Sequence, residues 1–142
     1  MKKMLAALVA LPAAPAMADT SAEEAWEILN QITFEESDPT EEYAVFKTFP
    51  AEIADGAEAF EVSGYAIPTD EAGKSFLLVS DIAECPYCGS GDHGVTVNVV
   101  MAEALPGIEE STRIVLRGNL QPVHDTETWQ SVILSDAVRI DV

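Results

Sequence analysis

Apolar and polar residues alternate along most of the second half of the chain, and this pattern predicts β-strands. A period of two places one face of a strand in a core and the other in solvent. One further run is short and wholly apolar, which indicates a strand that is buried on both faces. The predicted strands are Phe60–Pro68, Ser75–Ser80, Val95–Met101, Ile114–Leu120 and a last strand that begins over Trp129–Ser135 and continues towards Ile140.

The connectivity of these strands predicts an OB-like barrel. Five strands with one insertion after the third, here Ala102–Glu110, match that architecture, and the insertion is long enough for a short helix or a turn. Gly64 and Gly118 lie in strand interiors, where glycine marks a bulge or a sharp bend. We therefore predict a mainly β fold, a small five-stranded OB-like barrel with an N-terminal helix. A small β-sandwich is the alternative.

A short helix is predicted before the barrel. Residues 20–24 contain the Ser/Thr-x-x-Glu pattern of a capping box, and a helix over Ala22–Gln31 would follow it. Trp26 and Leu29 fall on one stripe of this helix, so we expect Trp26 to be a core anchor.

The segment between helix and barrel has weaker patterns. Phe34–Thr40 is acidic and ends in Asp-Pro-Thr, which is typical of a loop. Tyr43–Phe49 is apolar and ambiguous between a strand and a short helix. We predict residues 19–57 to form the helix and connecting segment and residues 58–142 to form the barrel, the two together making one domain.

The first residues have the three parts of a signal peptide in order. Lys2 and Lys3 form a basic start, Met4–Leu11 is apolar, and Ala16-Met17-Ala18 is a small-x-small cleavage site. The apolar run is too short for a membrane span, which needs about 20 residues. We expect cleavage after Ala18 and a periplasmic protein without a membrane span.

The charge of the chain is strongly acidic. The full sequence has 25 acidic and 7 basic residues and a net charge of −18, and loss of the signal peptide removes two lysines and no acid. Such a surface repels phosphate backbones, which disfavours nucleic-acid binding, whereas it attracts cations or a basic patch on a partner. The simplest explanation is an acidic coat that keeps the protein in solution.

The candidate chemistry lies between the second and third predicted strands. Cys85, Cys88 and His93 have the spacing Cys-x2-Cys-x4-His, and glycines follow the second cysteine. Zinc takes tetrahedral Cys and His ligands, so this segment predicts a site for zinc or another thiophilic ion such as copper(I). The fourth position could be open, or it could be filled by His124, Asp92 or Glu84. His124 lies between the last two predicted strands, which could place it at the far end of the barrel.

Two other interpretations of the segment stay open. Cys85 and Cys88 could form a thiol–disulfide couple tuned by His93. Cys-Pro-Tyr-Cys also matches the glutaredoxin motif, but a glutaredoxin dithiol begins a helix after a strand, and here glycines and a strand follow. A purely structural disulfide would close almost no loop and stabilise little. Alternatively, the protein is an interaction module in which the barrel or the acidic surface docks a partner.

Motifs of common enzymes do not occur in the sequence. There is no Gly-x-Ser-x-Gly, no P-loop and no His-Glu-x-x-His. Acid pairs such as Glu35-Glu36 and Glu41-Glu42 are interpreted as a solvated face. The sequence favours a binding or accessory role over an enzyme.

Several segments together resemble a family of small secreted bacterial proteins with a domain of unknown function. These segments are Gly64–Pro68, Phe76–Val79, Val95–Met101 and Val115–Leu120. The resemblance implies an OB-like barrel preceded by a Trp-x-x-Leu helix, which Trp26 and Leu29 would match.

The cysteine segment departs from the pattern of that family. Many members have one Cys, a nearby His and a proline-rich run, whereas this chain has two Cys, a later His and glycines. The resemblance would carry over Cys85 and His93. It also implies association with transport systems for metals or envelope components, which favours metal handling.

Overall fold

A computed structural model describes residues 22, 24–81 and 95–141 of the chain. The predicted signal peptide, 1–18, lies outside these residues, and so do Cys85, Cys88, Asp92 and His93. Within the described ranges the elements are α1 Ala25–Leu29, β1 Thr33–Glu36, β2 Val45–Thr48, β3 Ala57–Pro68, β4 Ser75–Val79, β5 Val97–Met101, β6 Thr112–Pro122 and β7 Val132–Arg139.

The last five strands form a closed barrel. Their order around it is β3-β4-β5-β7-β6, and β6 pairs with β3 to complete the ring. All neighbours are antiparallel except β5 and β7, which are parallel. This is the arrangement of an OB barrel, in which the last strand inserts between the third and the fourth. The predicted OB-like barrel is confirmed, and the sandwich alternative is wrong.

The predicted alternation accounts for the core. Over residues 60–66 of β3, all of β5 and residues 114–120 of β6, every second residue points inward and is buried, as a period of two requires. Ser63, on the other face of β3, is buried as well. After Ser75, β4 is apolar, with Phe76 and Leu78 buried on the inner face, and with Leu77 half-buried and Val79 buried on the outer face. The inward set includes Val62, Ala66, Phe76, Leu78, Val97, Val99, Ile114, Leu116, Leu120, Val132 and Leu134.

Gly64 and Gly118 are required where strands approach closely. A Cβ atom on Gly64 would lie 2.6 Å from the carbonyl oxygen of Val79, and one on Gly118 would lie 2.7 Å from that of Ser135. β7 has an extra residue opposite both its neighbours, near Asp136, whose φ is +50°. The predicted bulge fits Gly118, which lies opposite the extra residue of β7, whereas the strand register runs unbroken through Gly64, which marks a close approach of two strands.

The N-terminal helix is shorter than the predicted Ala22–Gln31. It covers Ala25–Leu29, and the following turns close by i to i+3 bonds. Trp26 packs against the core as expected, and its Nε1 donates to the carbonyl of Ser63. The Ser63 amide donates to the carbonyl of Ala22, so this region covers β3 where it extends beyond the end of β4.

Two sequence predictions need correction, and one segment that was ambiguous is a strand. Part of the predicted loop Phe34–Thr40 is strand β1, because pairing with β2 and packing of Phe34 override the low strand propensity of its glutamates. The ambiguous segment Tyr43–Phe49 contains strand β2. The last strand begins at Val132, so Trp129 belongs to the preceding loop.

The insertion between β5 and β6 consists of turns. It is held by a bond from the Leu105 amide to the carbonyl of Gly73 and by one from Lys74 Nζ to the carbonyl of Ala102. Within the part of the chain that the structure describes, no helix has the length and apolar character needed to cross a membrane.

Candidate functional site

The cysteine segment connects two paired neighbours in the barrel wall. β4 ends at Val79 and β5 begins at Val97, and the register pairs Leu78 with Val97. The described residues that border the segment, Asp81 and Val95, therefore belong to the same end of the barrel. We call it the upper end. Because residues 82–94 lie outside the described residues, the assignment of Cys85, Cys88, Asp92 and His93 as ligands stays a prediction.

The loop that carries His124 lies at the upper end as well. Val132, the first residue of β7, pairs with Val97 on one side and with Pro122, the last residue of β6, on the other. Ser131 Oγ also donates to the carbonyl of Thr96, at 3.4 Å. The β6–β7 loop, residues 123–131, is thus on the same side of the barrel as the ends of the cysteine segment. The far-end placement considered from the sequence is wrong.

His124 itself is exposed and rests on an aromatic ring. Its imidazole meets Phe49 edge to face, with ring centroids 5.3 Å apart. Among the described residues, no group of three or more His, Cys, Asp and Glu side chains is arranged to hold a metal ion. A metal site that used His124 would therefore need ligands from residues 82–94.

The hairpin formed by β1 and β2 packs on the β6–β7 loop. The Val45 amide donates to the carbonyl of Thr126 at 2.8 Å, and Val45 is fully buried. Residues of one hairpin face contact the loop, because cross-strand partners share a face. Phe34 and Lys47 are such partners, and both point towards the loop.

The ammonium group of Lys47 binds three backbone carbonyls of the β6–β7 loop. Its Nζ donates to the carbonyls of Asp125 at 2.9 Å, Thr128 at 3.1 Å and Gln130 at 2.6 Å. An ammonium has three donors, so its capacity is fully used by the loop backbone. Burial lowers the pKa of Lys47, while the charge of Asp125 acts in the opposite direction. The lysine thereby fixes the path of the chain that carries His124 and Trp129.

Three aromatic side chains form a cluster between the hairpin and this loop. The ring centroids of Phe34 and Trp129 lie 5.5 Å apart, and Trp129 Nε1 donates to the Tyr43 hydroxyl at 2.6 Å. Tyr43 is 55% exposed, while Phe34 and Trp129 are half-buried. We call Phe34, Tyr43 and Trp129 the aromatic cluster. The sequence pattern does not reveal this cluster, because its members come from a predicted loop, an ambiguous segment and a predicted strand.

Every basic side chain in the described part of the chain has a partner within the protein. Two lysines donate to backbone carbonyls and three arginines bond to Ser63, Glu61 or Asp141. The Arg139 guanidinium holds the pKa of Asp141 below its usual value. The set is Lys47, Lys74, Arg113, Arg117 and Arg139. Carboxylates far outnumber cations in the described part of the chain, which is an electrostatic condition that favours cationic ligands.

Comparison of the chain with protein-family models, with curated proteins and with solved structures found no match. The functional interpretation consequently depends on the residues and the geometry described above.

Proposed function

We propose that the protein is an exported, periplasmic metal-handling accessory protein, in which Cys85, Cys88 and His93 bind a thiophilic cation, zinc or copper(I). The observation that carries the proposal is the Cys-x2-Cys-x4-His spacing in a connection between two paired barrel strands. Two thiolates and an imidazole are the donor set that zinc and copper(I) prefer.

The topology supports the proposal by restricting the ends of the segment. Leu78 and Val97 are paired, so the chain leaves and re-enters neighbouring strands of a rigid wall. Short-range ligands within such a connection lose less conformational freedom on binding than ligands on a free chain. His124, which lies in the adjacent loop at the same end, is a candidate fourth ligand together with Asp92.

The charge distribution supports a cationic ligand. The chain has 25 acidic residues, and each of its five described basic residues is already engaged by a carbonyl, a hydroxyl or a carboxylate. A surface of this kind raises the local concentration of cations and their rate of association.

The metal content of the mature protein purified from the periplasm tests the proposal. The wild-type chain should contain about one equivalent of zinc or copper, and a Cys85→Ser/Cys88→Ser variant should contain less than a tenth of that. Cobalt(II) added to the metal-free protein should give intense absorption from thiolate bonding, which the double variant lacks. His93→Ala should weaken binding about tenfold or more, whereas Ser90→Ala in the same segment should bind as the wild type does. Equal metal content in wild type and double variant would rule the proposal out.

A thiol–disulfide couple formed by Cys85 and Cys88 is the alternative that the same preparation distinguishes. Counting free thiols in freshly isolated protein gives two for a metal-loaded or reduced pair and none for a disulfide. Metal-free protein with a disulfide that periplasmic thiol–disulfide partners can reduce would favour the redox function.

A further inference from the structure

We propose that the aromatic cluster and the carboxylates around it form a docking surface for a basic, extended peptide segment of a partner protein. The surface lies at the upper end of the barrel, on the β1–β2 hairpin and the β6–β7 loop, and it uses none of the cysteines.

The apolar part of this surface is already ordered. Trp129 contacts Phe34 through its ring and Tyr43 through its indole N–H, so the three aromatic groups support one another. Lys47 and Val45 hold the hairpin and the loop together beneath them. A ligand would therefore meet rigid rings and would not have to order a loop. Tyr43, the most accessible of the three at 55% exposure, is not covered by any described part of the chain.

The carboxylates near the aromatic cluster favour a positively charged ligand. The hairpin region 33–48 and the loop 123–131 contain seven carboxylates and one lysine. That lysine, Lys47, is half-buried and donates to backbone carbonyls, and its charge offsets one of the seven carboxylates, which leaves an excess of six negative charges in the two segments. The carboxylates belong to Glu36, Asp38, Glu41, Glu42, Asp125 and Glu127, with Glu35 on the opposite face of the hairpin. Aromatic faces attract guanidinium and ammonium groups, and carboxylates attract them at longer range. Arginine and lysine side chains satisfy both conditions, whereas acidic or phosphate-bearing ligands are repelled.

The hairpin has two faces, and we expect substitutions on only one of them to weaken peptide binding. Tyr43 lies on the face that contacts the β6–β7 loop, in phase with Val45 and Lys47. Phe46, also 55% exposed, lies on the opposite face as the cross-strand partner of Glu35. The two side chains are equally accessible, but only Tyr43 belongs to the aromatic cluster. Phe46 is therefore a matched control.

The test is an NMR titration of the mature protein, in the presence of EDTA, with a blocked hexapeptide of alternating glycine and arginine. The same peptide with citrulline in place of arginine has nearly the same shape and no charge. The arginine peptide should shift the indole N–H resonance of Trp129 and leave that of Trp26, whose N–H is bonded to the Ser63 carbonyl inside the fold, unchanged. The citrulline peptide should bind at least tenfold more weakly.

Variants locate the surface. Tyr43→Ala should weaken binding about threefold to fivefold, as expected for loss of one exposed cation–π contact, while Tyr43→Phe should bind nearly as the wild type does and Phe46→Ala should have no effect. Glu41→Gln/Glu42→Gln should weaken binding more than Glu109→Gln/Glu110→Gln, which makes the same change of charge at the other end of the barrel. An unshifted Trp26 resonance in each variant shows that the fold is intact.

Three outcomes would overturn the proposal. The first is equal binding of the arginine and citrulline peptides. The second is an equal loss for both pairs of glutamine variants, which would mean a response to overall charge alone. The third is a Trp129 resonance that does not move at saturating peptide.

Discussion

Replacement of Lys47 by methionine tests how the upper end of the barrel is held together. Methionine keeps the length and the apolar stem of the lysine side chain and removes its three donors. The carbonyls of Asp125, Thr128 and Gln130 would all lose their bond to Nζ at once. We expect the β6–β7 loop to loosen and the protein to lose stability.

The expected loss of stability is the value of three hydrogen bonds, reduced by the access of water in the variant and by the cost of burying the ammonium in the wild type. A hydrogen bond from a charged donor contributes about 1.5–3 kcal/mol, so three of them set an upper limit of about 9 kcal/mol. Asp125 is exposed, and its carbonyl can bond to water in the variant, which reduces the loss. Burial of the ammonium also has a cost in the wild type, as the lowered pKa of Lys47 indicates. We therefore expect the free energy of unfolding to fall by about 2 kcal/mol, on the scale of buried hydrogen-bond losses.

Urea unfolding followed by fluorescence measures the change. With a slope of about 1.5 kcal/mol per molar, the midpoint should fall by about 1.3 M. Lys74→Met is the matched control, because Lys74 is exposed and its Nζ donates to one carbonyl, that of Ala102. Its loss should be under about 0.5 kcal/mol, as for other exposed polar contacts. Lys47→Arg should be less stable than the wild type, although it keeps the charge, since a planar guanidinium cannot reproduce three converging ammonium hydrogen bonds.

Hydrogen exchange would localise the effect. The Val45 amide, which donates to the carbonyl of Thr126, should lose protection in Lys47→Met, while amides of the barrel strands should keep theirs relative to global stability. Equal midpoint changes for the two methionine variants, or full protection of Val45, would refute the reasoning that the ammonium organises the loop.

Other substitutions test the fold. Gly64→Ala should lower the free energy of unfolding by about 3 kcal/mol, since the new Cβ would lie 2.6 Å from the Val79 carbonyl oxygen; an unchanged urea midpoint would contradict this. Ala59→Gly should raise the free energy of unfolding by about 0.5 kcal/mol in calorimetry, because the backbone strain of a non-glycine residue at φ +51° exceeds the entropic cost of glycine. The backbone N–H and the hydroxyl of Thr40 both donate to Asp38 and lower its pKa. Thr40→Val removes the hydroxyl and should raise that pKa part of the way to 3.8 in a carbon-detected NMR titration. An unchanged pKa would mean that the hydroxyl does not contribute to the shift.

The barrel could be predicted from the sequence because its strands alternate regularly between apolar and polar residues. In β5 and β6 each inward side chain is two residues from the next, and burial on one face forces that spacing. The predictions fail where tertiary contacts decide. β1 contains two exposed glutamates and forms a strand only because β2 and Trp129 are present. β7 begins at Val132 and not at Trp129, because Trp129 packs on Phe34 and the inward residues of the strand are Val132 and Leu134, in the opposite phase to the predicted series Trp129, Ser131 and Ile133.

The contacts at the upper end illustrate the same limit. Spacing along the chain identified Cys85, Cys88 and His93 as a candidate site, because such ligands are close in sequence. The contacts of Lys47 with loop 123–131 and the aromatic cluster depend on residues about 80 or more positions apart, such as Tyr43 and Trp129, whose separation is 86. No local pattern reveals pairs of this kind.

The position of β7 bears on how the chain reaches its final state. β7 lies between β5 and β6, so both of these strands keep an unpaired edge until the last part of the sequence is available. A polypeptide that stops before Val132 would expose two ladders of free amide and carbonyl groups, which are templates for aggregation. Closure of the ring must therefore wait for the carboxyl-terminal residues.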